Sequence, residues 1–165
     1  MAGVCLESYS AVLYGGVMIL YIGADHNGYD LKKKVSDYLL SRGYKVQDEG
    51  DAQHDPDDDF TVFAGRVVHA MRQEGNSARG ILICGSGQGM VIAANRFKGI
   101  RAGLGWSVSA ARSIRNDEDS NVIALPAELL QKNDDWKNIL DVWIRTPFAG
   151  AARYKRRNRQ LDELV

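Results

Sequence analysis

Cys84 stands at the end of an apolar run and directly before the loop Gly85-Ser86-Gly87-Gln88-Gly89, with a small-residue helical pattern behind it. A loop of that composition can turn its backbone N–H groups inward around an anion, because no side chains intervene, and the helix start behind it adds partial positive charge. A thiol held in such a field is expected to have a lowered pKa, which makes Cys84 a candidate base or nucleophile. Taken alone, a cysteine at a strand end is at least as often inert core. Its position argues for chemistry, since parallel α/β sheets bind ligands at the carboxyl ends of their strands. The glycines by themselves do not make a nucleotide site: GxGxxG needs its third glycine where Met90 stands, and no Walker lysine follows.

The elements that must position this loop alternate in type. Strand-like runs at Met18 to Ala24, Lys45 to Glu49, Gly80 to Cys84, Arg101 to Leu104 and Asn121 to Leu125 are separated by helical patterns, the rhythm of an α/β parallel sheet. In the first helix Leu31, Val35, Tyr38 and Leu39 share one face, while Lys32, Lys33, Lys34 and Asp37 are expected to point away, and Gly43 caps the end. Further helices are expected at about 62–73, 87–96, 108–115 and 134–145, with a basic C-terminal helix at about 150–164 that docks onto something.

Composition narrows the function classes. The chain has 165 residues, 45% of them hydrophobic, enough for one domain with a sizeable core. Its formal charge of zero gives no global field for nucleic acid or membrane, and no run approaches a transmembrane length. The 2 cysteines lack metal-ligand or disulfide-framework spacing, which suits a reducing cytoplasm. Residues 1–17 make a poor signal peptide and are expected to be an ill-ordered extension ahead of a natural start at Met18, leaving Cys5 outside the chemistry and 18–165 as one domain.

Polar residues gather where the strands end. The first strand delivers Asp25 and His26, the third delivers Cys84, and the fourth delivers Trp106 and Ser107, so these ends are expected to share one rim. Asp25 could instead cap the first helix and His26 could be an ordinary surface histidine. The turn His54-Asp55-Pro56-Asp57-Asp58-Asp59 has consecutive rather than spaced ligands, and reads as a solvated turn more than a cation site.

Four ordered blocks, IGADHNGYDLKKKV, GILICGSGQGM with IAANRFKGIRA, DSNVIAL and FAGAARYKRR, resemble the sugar-phosphate isomerase family of type B ribose-5-phosphate isomerase and the galactose-6-phosphate isomerase subunits. The resemblance implies a three-layer, doubly wound, five-stranded parallel sheet of Rossmann-like form with a C-terminal docking helix. It implies a homodimer with shared active sites, or a pair of such dimers, and aldose–ketose isomerisation through a cis-enediolate without metal or other cofactor. Such chemistry needs a base for the proton beside the carbonyl and donors for the enediolate oxygen. By resemblance Cys84 is that base, and Gly85, Gly87, Gln88 and Gly89 belong to the anion hole. Ser86 handles sugar oxygens, Asp25 accepts a sugar hydroxyl, His26 lies toward the phosphate, and Asn95 sits on the helix leaving the loop. Arg153 and Arg157, four apart on one helix face, match the family's phosphate-gripping arginines, although a solvated basic tail has the same composition. A nucleic-acid role lacks the aromatics or basic fold motif that would accompany it.

The chain also departs from the family pattern. Asp117 falls where the ring-opening histidine stands, and a carboxylate with a usual pKa of about 4 is a weaker proton partner at neutral pH. Gly-x-Arg becomes Pro126-Ala127-Glu128, Asp-Tyr-Pro becomes Asp59-Phe60-Thr61, and Tyr154 replaces the histidine of the C-terminal motif. Met90 stands where one family branch carries a glutamate. These changes imply retained proton-transfer apparatus with altered sugar specificity. Two rivals remain at this point: a non-catalytic sugar or sugar-phosphate binder, which Cys84 argues against, and a nucleotide module, which lacks a ribose-reading acid about 20 residues past the glycines.

Overall fold

In the computed structural model, which describes residues 18–75 and 78–164, the chain alternates as the βα rhythm requires. The strands are β1 (Ile19–Ala24), β2 (Lys45–Asp48), β3 (Ala78–Cys84), β4 (Ala102–Leu104) and β5 (Val122–Pro126). The helices are α1 (Tyr29–Ser41), α2 (Phe60–Glu74), α3 (Gln88–Ala94), α4 (Val108–Asn116), α5 (Ala127–Leu130), α6 (Asp135–Arg145) and α7 (Ala152–Glu163). All strand pairs are parallel, in the order β2-β1-β3-β5-β4. The fold is thus the expected α/β, Rossmann-like, five-stranded sheet. The short α5 was not anticipated, and β3 starts at Ala78 rather than Gly80. The expectations for residues 1–17 and Cys5 lie outside the described residues.

Strand periodicity divides the core into two layers. Ile81 and Ile83 face a cluster with Leu31, Val35 and Leu39 of α1 and Trp136, Leu140 and Trp143 of α6. Leu82 and Cys84 face the other cluster, with Phe63, Val67 and Met71 of α2 and Met90 of α3. Continuous apolar runs such as Ile81-Leu82-Ile83 are what a sheet covered on both faces demands. The buried indole of Trp143 is satisfied by donating to Ser120 Oγ at 2.8 Å. Gly43 follows α1 with φ +83°, the left-handed conformation expected of a helix stop.

Lys32 corrects the helical-wheel reading. Rather than pointing into solvent it is only 2% exposed, and its Nζ donates to Asp48 Oδ1 and to the Asp51 carbonyl, each at 2.9 Å. The chain leaving β2 folds across α1, and the ammonium ties the two together. Asp48 is nearly half exposed, so the partners are not equivalent. Asp48→Ala leaves a buried ammonium without its counter-charge and is expected to cost about 3 kcal/mol. Lys32→Met leaves a carboxylate that water can reclaim, and is expected to cost less than about 2 kcal/mol. Urea unfolding of the two variants checks this order, and equal losses would contradict the account of Lys32.

Candidate active site

The strand order creates the crevice. From β1 the chain moves outward to β2, then returns to place β3 on the other side of β1, so the loops after β1 and β3 leave in opposite directions. Ligands bind at such a switch point, outside the carboxyl ends of the strands. The register pairs Ala24 with Ile83, which puts Asp25 beside Cys84, and pairs Cys84 with Pro126. The loops carrying Asp25, Gly85 and Glu128 therefore meet at one rim.

The sulfur of Cys84 points into the glycine turn. Gly87 N–H donates to Cys84 Sγ at 3.1 Å, and the N–H groups of Met90 and Ser86 also favour its anion. The expectation of a lowered thiol pKa is nevertheless overturned. Burial is the largest influence and pushes the thiol above its ordinary value, Asp25 adds to the rise, and the three amides offset only part of it. With the residue 5% exposed, the cradle is deeper than the glycine pattern suggested. The result is a thiol that ionises less readily and is a stronger base once ionised.

Gly87 adopts φ +77°, and a β-carbon there would collide with Leu104 of β4. That conformation turns the N–H back toward the sulfur, and only glycine takes it without strain. Ser86 is exposed at the mouth, its Oγ accepting from Gln88 N–H at 3.3 Å, and the Gln88 side chain is exposed beside it. The Phe60 ring covers Gly89: a β-carbon there would lie 2.8 Å from its Cζ. Glu128 closes the other side. Its N–H donates to the Gly85 carbonyl at 3.0 Å, and its Oε1 lies 2.8 Å from where a Gly85 β-carbon would stand.

Asp25 and His26 form the far wall. Asp25 is buried and accepts Gly28 N–H at 3.1 Å, so it does brace the entry to α1, and burial pushes its carboxyl above the usual range. His26 Nδ1 lies 2.7 Å from Asp58 Oδ1, which also accepts His26 N–H at 3.1 Å. In the neutral ring Nδ1 donates to Asp58, and Nε2 accepts from Asn27 Nδ2 at 2.8 Å. The hydrogen bond to Asp58 raises the His26 pKa. The acidic turn is therefore not merely solvated: the Asp58 side chain is 7% exposed and fixes a rim histidine. Among the described residues, no group of three or more His, Cys, Asp or Glu converges as a metal site requires.

A raised imidazole pKa favours the folded state most when the ring is protonated. The charged part of the Asp58 contribution is complete below the unfolded histidine value of about 6.5 and is lost as pH rises through the raised folded value. Asp58→Asn is therefore expected to lower the His26 pKa and to cost more stability at pH 5.5 than at pH 8. Histidine-resolved NMR titration with paired melts checks both, and an unmoved titration would contradict the pairing.

A model of the ribose/galactose isomerase family matches residues 20–161. The chain belongs to that family. Ribose-5-phosphate isomerase B of Mycobacterium tuberculosis is 34% identical over 141 residues, covering 85% of this chain and 85% of that one. D-erythrulose-4-phosphate isomerase of Pectobacterium atrosepticum is 34% identical over 137 residues, covering 81% and 87%. Ribose-5-phosphate isomerase B from Mycoplasma genitalium, solved with bound ribulose-5-phosphate, superposes with a TM-score of 0.84 at 31% identity, over 89% of this chain and 95% of that one. As a member of the ribose/galactose isomerase family the chain is an enzyme that interconverts aldoses and ketoses, which removes the nucleotide module as a reading.

This member of the isomerase family does not gather every expected residue around Cys84. Asn95 is turned toward the sheet edge: its Nδ2 donates to the Ala102 carbonyl at 2.9 Å and its Oδ1 accepts Ala102 N–H at 2.8 Å, so the amide braces β4 rather than facing the cradle. Ser107 is used as the cap of α4, accepting Ala110 N–H at 3.1 Å. Asp117 lies half-buried at the end of α4 and accepts from Asn116 Nδ2 at 2.6 Å. Arg153 and Arg157 are exposed on α7, whose single buried residue is Asn158. Arg153 packs on Tyr154, 4.8 Å from the ring centroid, and donates to the Tyr154 hydroxyl at 3.0 Å. Asp58 and the approach of Glu128 to Gly85 escaped the sequence reading. The sequence carried one signal for Asp58: a run of acids one loop away from a histidine at a strand end.

Proposed function

We propose that this isomerase acts on a small sugar phosphate, with Cys84 as the base and the N–H groups of the Gly85–Gly89 loop as the hole for the enediolate oxygen. The observation that carries the reading is the 3.1 Å contact of Cys84 Sγ with Gly87 N–H at the switch point of the sheet. Thiolate Cys84 removes the proton from carbon 2 of the open-chain aldose. The electron pair of that C–H bond becomes the carbon 1–carbon 2 double bond, and the carbonyl pair moves onto oxygen 1. Loop amides hold this oxygen as charge builds, each worth on the order of 3 kcal/mol. The thiol returns its proton to carbon 1, and the proton of oxygen 2 passes to oxygen 1, so that carbon 2 becomes the carbonyl and oxygen 1 the hydroxyl of the ketose. Ser86 and Asp25 hold sugar hydroxyls, and Asp117, at the end of α4 remote from Cys84 of its own chain, assists ring opening in the cleft of a second copy.

The phosphate lies toward His26 and the arginines of α7. Glu128 repels a dianion from the opposite side of the cradle, which favours short substrates oriented one way. Arg153 and Arg157 stand on a helix with little burial of its own, which suits their delivery to the cleft of a second copy in a homodimer. No helix among the described residues is long and apolar enough to cross a membrane. A reducing cytoplasm remains the setting that the thiol chemistry favours.

A panel of tetrose, pentose and hexose phosphates with the matching unphosphorylated sugars, read by deuterium gain at carbon 2 in heavy water, tests the reading. Exchange is expected with a short phosphorylated sugar and at least tenfold less with its unphosphorylated form. Equal inertness to every phosphorylated member would overturn it.

A further inference from the structure

The opposite end of the sheet carries a cavity that the isomerase chemistry does not use. It has a volume of about 590 Å³ and lies where β3, β4 and β5 begin, lined by Ala78, Arg79, Arg101 and Asn121 among others. Cys84 ends the strand that Ala78 begins, so the two ends are roughly 20 Å apart at about 3.3 Å per residue. A volume of this size is in the range of small-molecule sites.

Its charge is one-sided. Among the described residues that line it, Arg72, Arg79, Lys98, Arg101 and Arg115 stand with a single carboxylate, Asp119. That carboxylate is already shared, accepting Arg115 NH1 at 2.9 Å and Arg101 NH2 at 3.1 Å, while Arg101 also stands 3.9 Å from Asp162. Arg72 donates to the Lys98 carbonyl at 2.8 Å and Arg79 to the Ile144 carbonyl at 2.8 Å. Carbonyls orient these guanidiniums without neutralising them. Arg115 is 5% exposed, and its Nε is buried with no partner among the described residues. Arg79 is held down to about 10, by burial first and then by the like charge of Arg115. Desolvated like charges around a cavity store repulsion that an anion would relieve.

We propose that this cavity is a second ligand site, which binds a small, multiply charged anion of the phosphate class independently of the isomerase cleft. Oriented guanidiniums suit the bidentate geometry of phosphate oxygens, and Lys98 adds a mobile point charge at the rim.

Calorimetric titration of the full chain with inorganic pyrophosphate at low salt tests the proposal. Arg72→Gln/Lys98→Gln changes two exposed residues outside the isomerase machinery, so it is expected to fold and to keep isomerase activity. Its affinity for pyrophosphate should fall at least tenfold, whereas Arg153→Gln/Arg157→Gln should retain the binding. In the unmodified chain, pyrophosphate should shift the amide NMR signals of Arg79 and Gly99 to Ala102 and leave Gly85 to Gly89 in place, a readout that needs no variant. Binding lost only in Arg153→Gln/Arg157→Gln, or shifts confined to the glycine loop, would place the anion in the isomerase cleft and overturn the proposal. So would a lowered melting temperature of Arg72→Gln/Lys98→Gln with unchanged affinity, which would make these cations caps for the carbonyl end of α2, or no detectable binding at millimolar pyrophosphate.

Discussion

Cys84→Ser is expected to lower kcat roughly 10³-fold while leaving KM within about threefold, because a hydroxyl keeps the shape of the cradle and loses the base. The same change should alter the pH profile. Burial and Asp25 hold the thiol of the wild-type enzyme above its ordinary pKa, so its thiolate fraction, and with it kcat/KM, should climb as pH rises through and beyond neutrality. Serine does not ionise in that range, and its residual rate should lose that climb. Steady-state kinetics between pH 6 and 9.5 check both features. A serine variant within tenfold of wild type, or one with the same rising limb, would assign the proton transfer to another group, and buried Asp25 beside Cys84 would be first in line.

Gly87→Ala is expected to have the second-largest effect, through geometry. Alanine at φ +77° costs about 1–2 kcal/mol in backbone strain alone. Its β-carbon would also run into Leu104, and Pro126 N lies 3.4 Å away across β5, so the loop must shift rather than absorb the methyl. A shift that turns the Gly87 N–H from the sulfur also displaces the neighbouring loop amides from the enediolate oxygen, and losing one such donor costs roughly 10²–10³ in kcat. Stability should fall by no more than about 3 kcal/mol, leaving a folded enzyme whose kcat can be read. Gln88→Ala, which keeps its backbone N–H at an exposed position on the same loop, should change kcat far less. Comparing melts and kcat for the pair separates loop geometry from bulk, and equal losses in the two would contradict the role given to the Gly87 amide.

Much of this arrangement was legible because it is local. Alternating apolar runs and amphipathic helices specify a parallel sheet, and a parallel sheet places Asp25, His26 and Cys84 at one rim whatever the strand order. The order itself is not local. Nothing in the Lys45–Asp48 segment says that it lies outside β1 while Ala78–Cys84 lies on the other side, yet that choice brings Asp25 next to Cys84.

The departures share a cause. The glycine loop announced amide donors, and these are present, but depth of burial is set by Phe60, Met90 and Leu104 packing around the loop, and depth decides the sign of the thiol shift. Lys32 sits off the apolar stripe of α1, and only the fold of the chain after β2, 16 residues on, encloses it. Asp58 reads as a solvated acid until the turn brings it to His26, 32 residues back. Asn95 has the polarity of a ligand-binding side chain, and the neighbouring strand uses it instead. In each case a side chain of correctly read type was assigned by a partner distant in sequence.

The most direct measurement of the central claim is deuterium wash-in at carbon 2 of a turned-over sugar phosphate in heavy water, comparing wild type with Cys84→Ala under conditions where both bind the sugar. The account predicts exchange that keeps pace with turnover in the wild type and exchange reduced to the uncatalysed level in the alanine variant. Exchange persisting in the alanine variant would show that the sulfur is not the base.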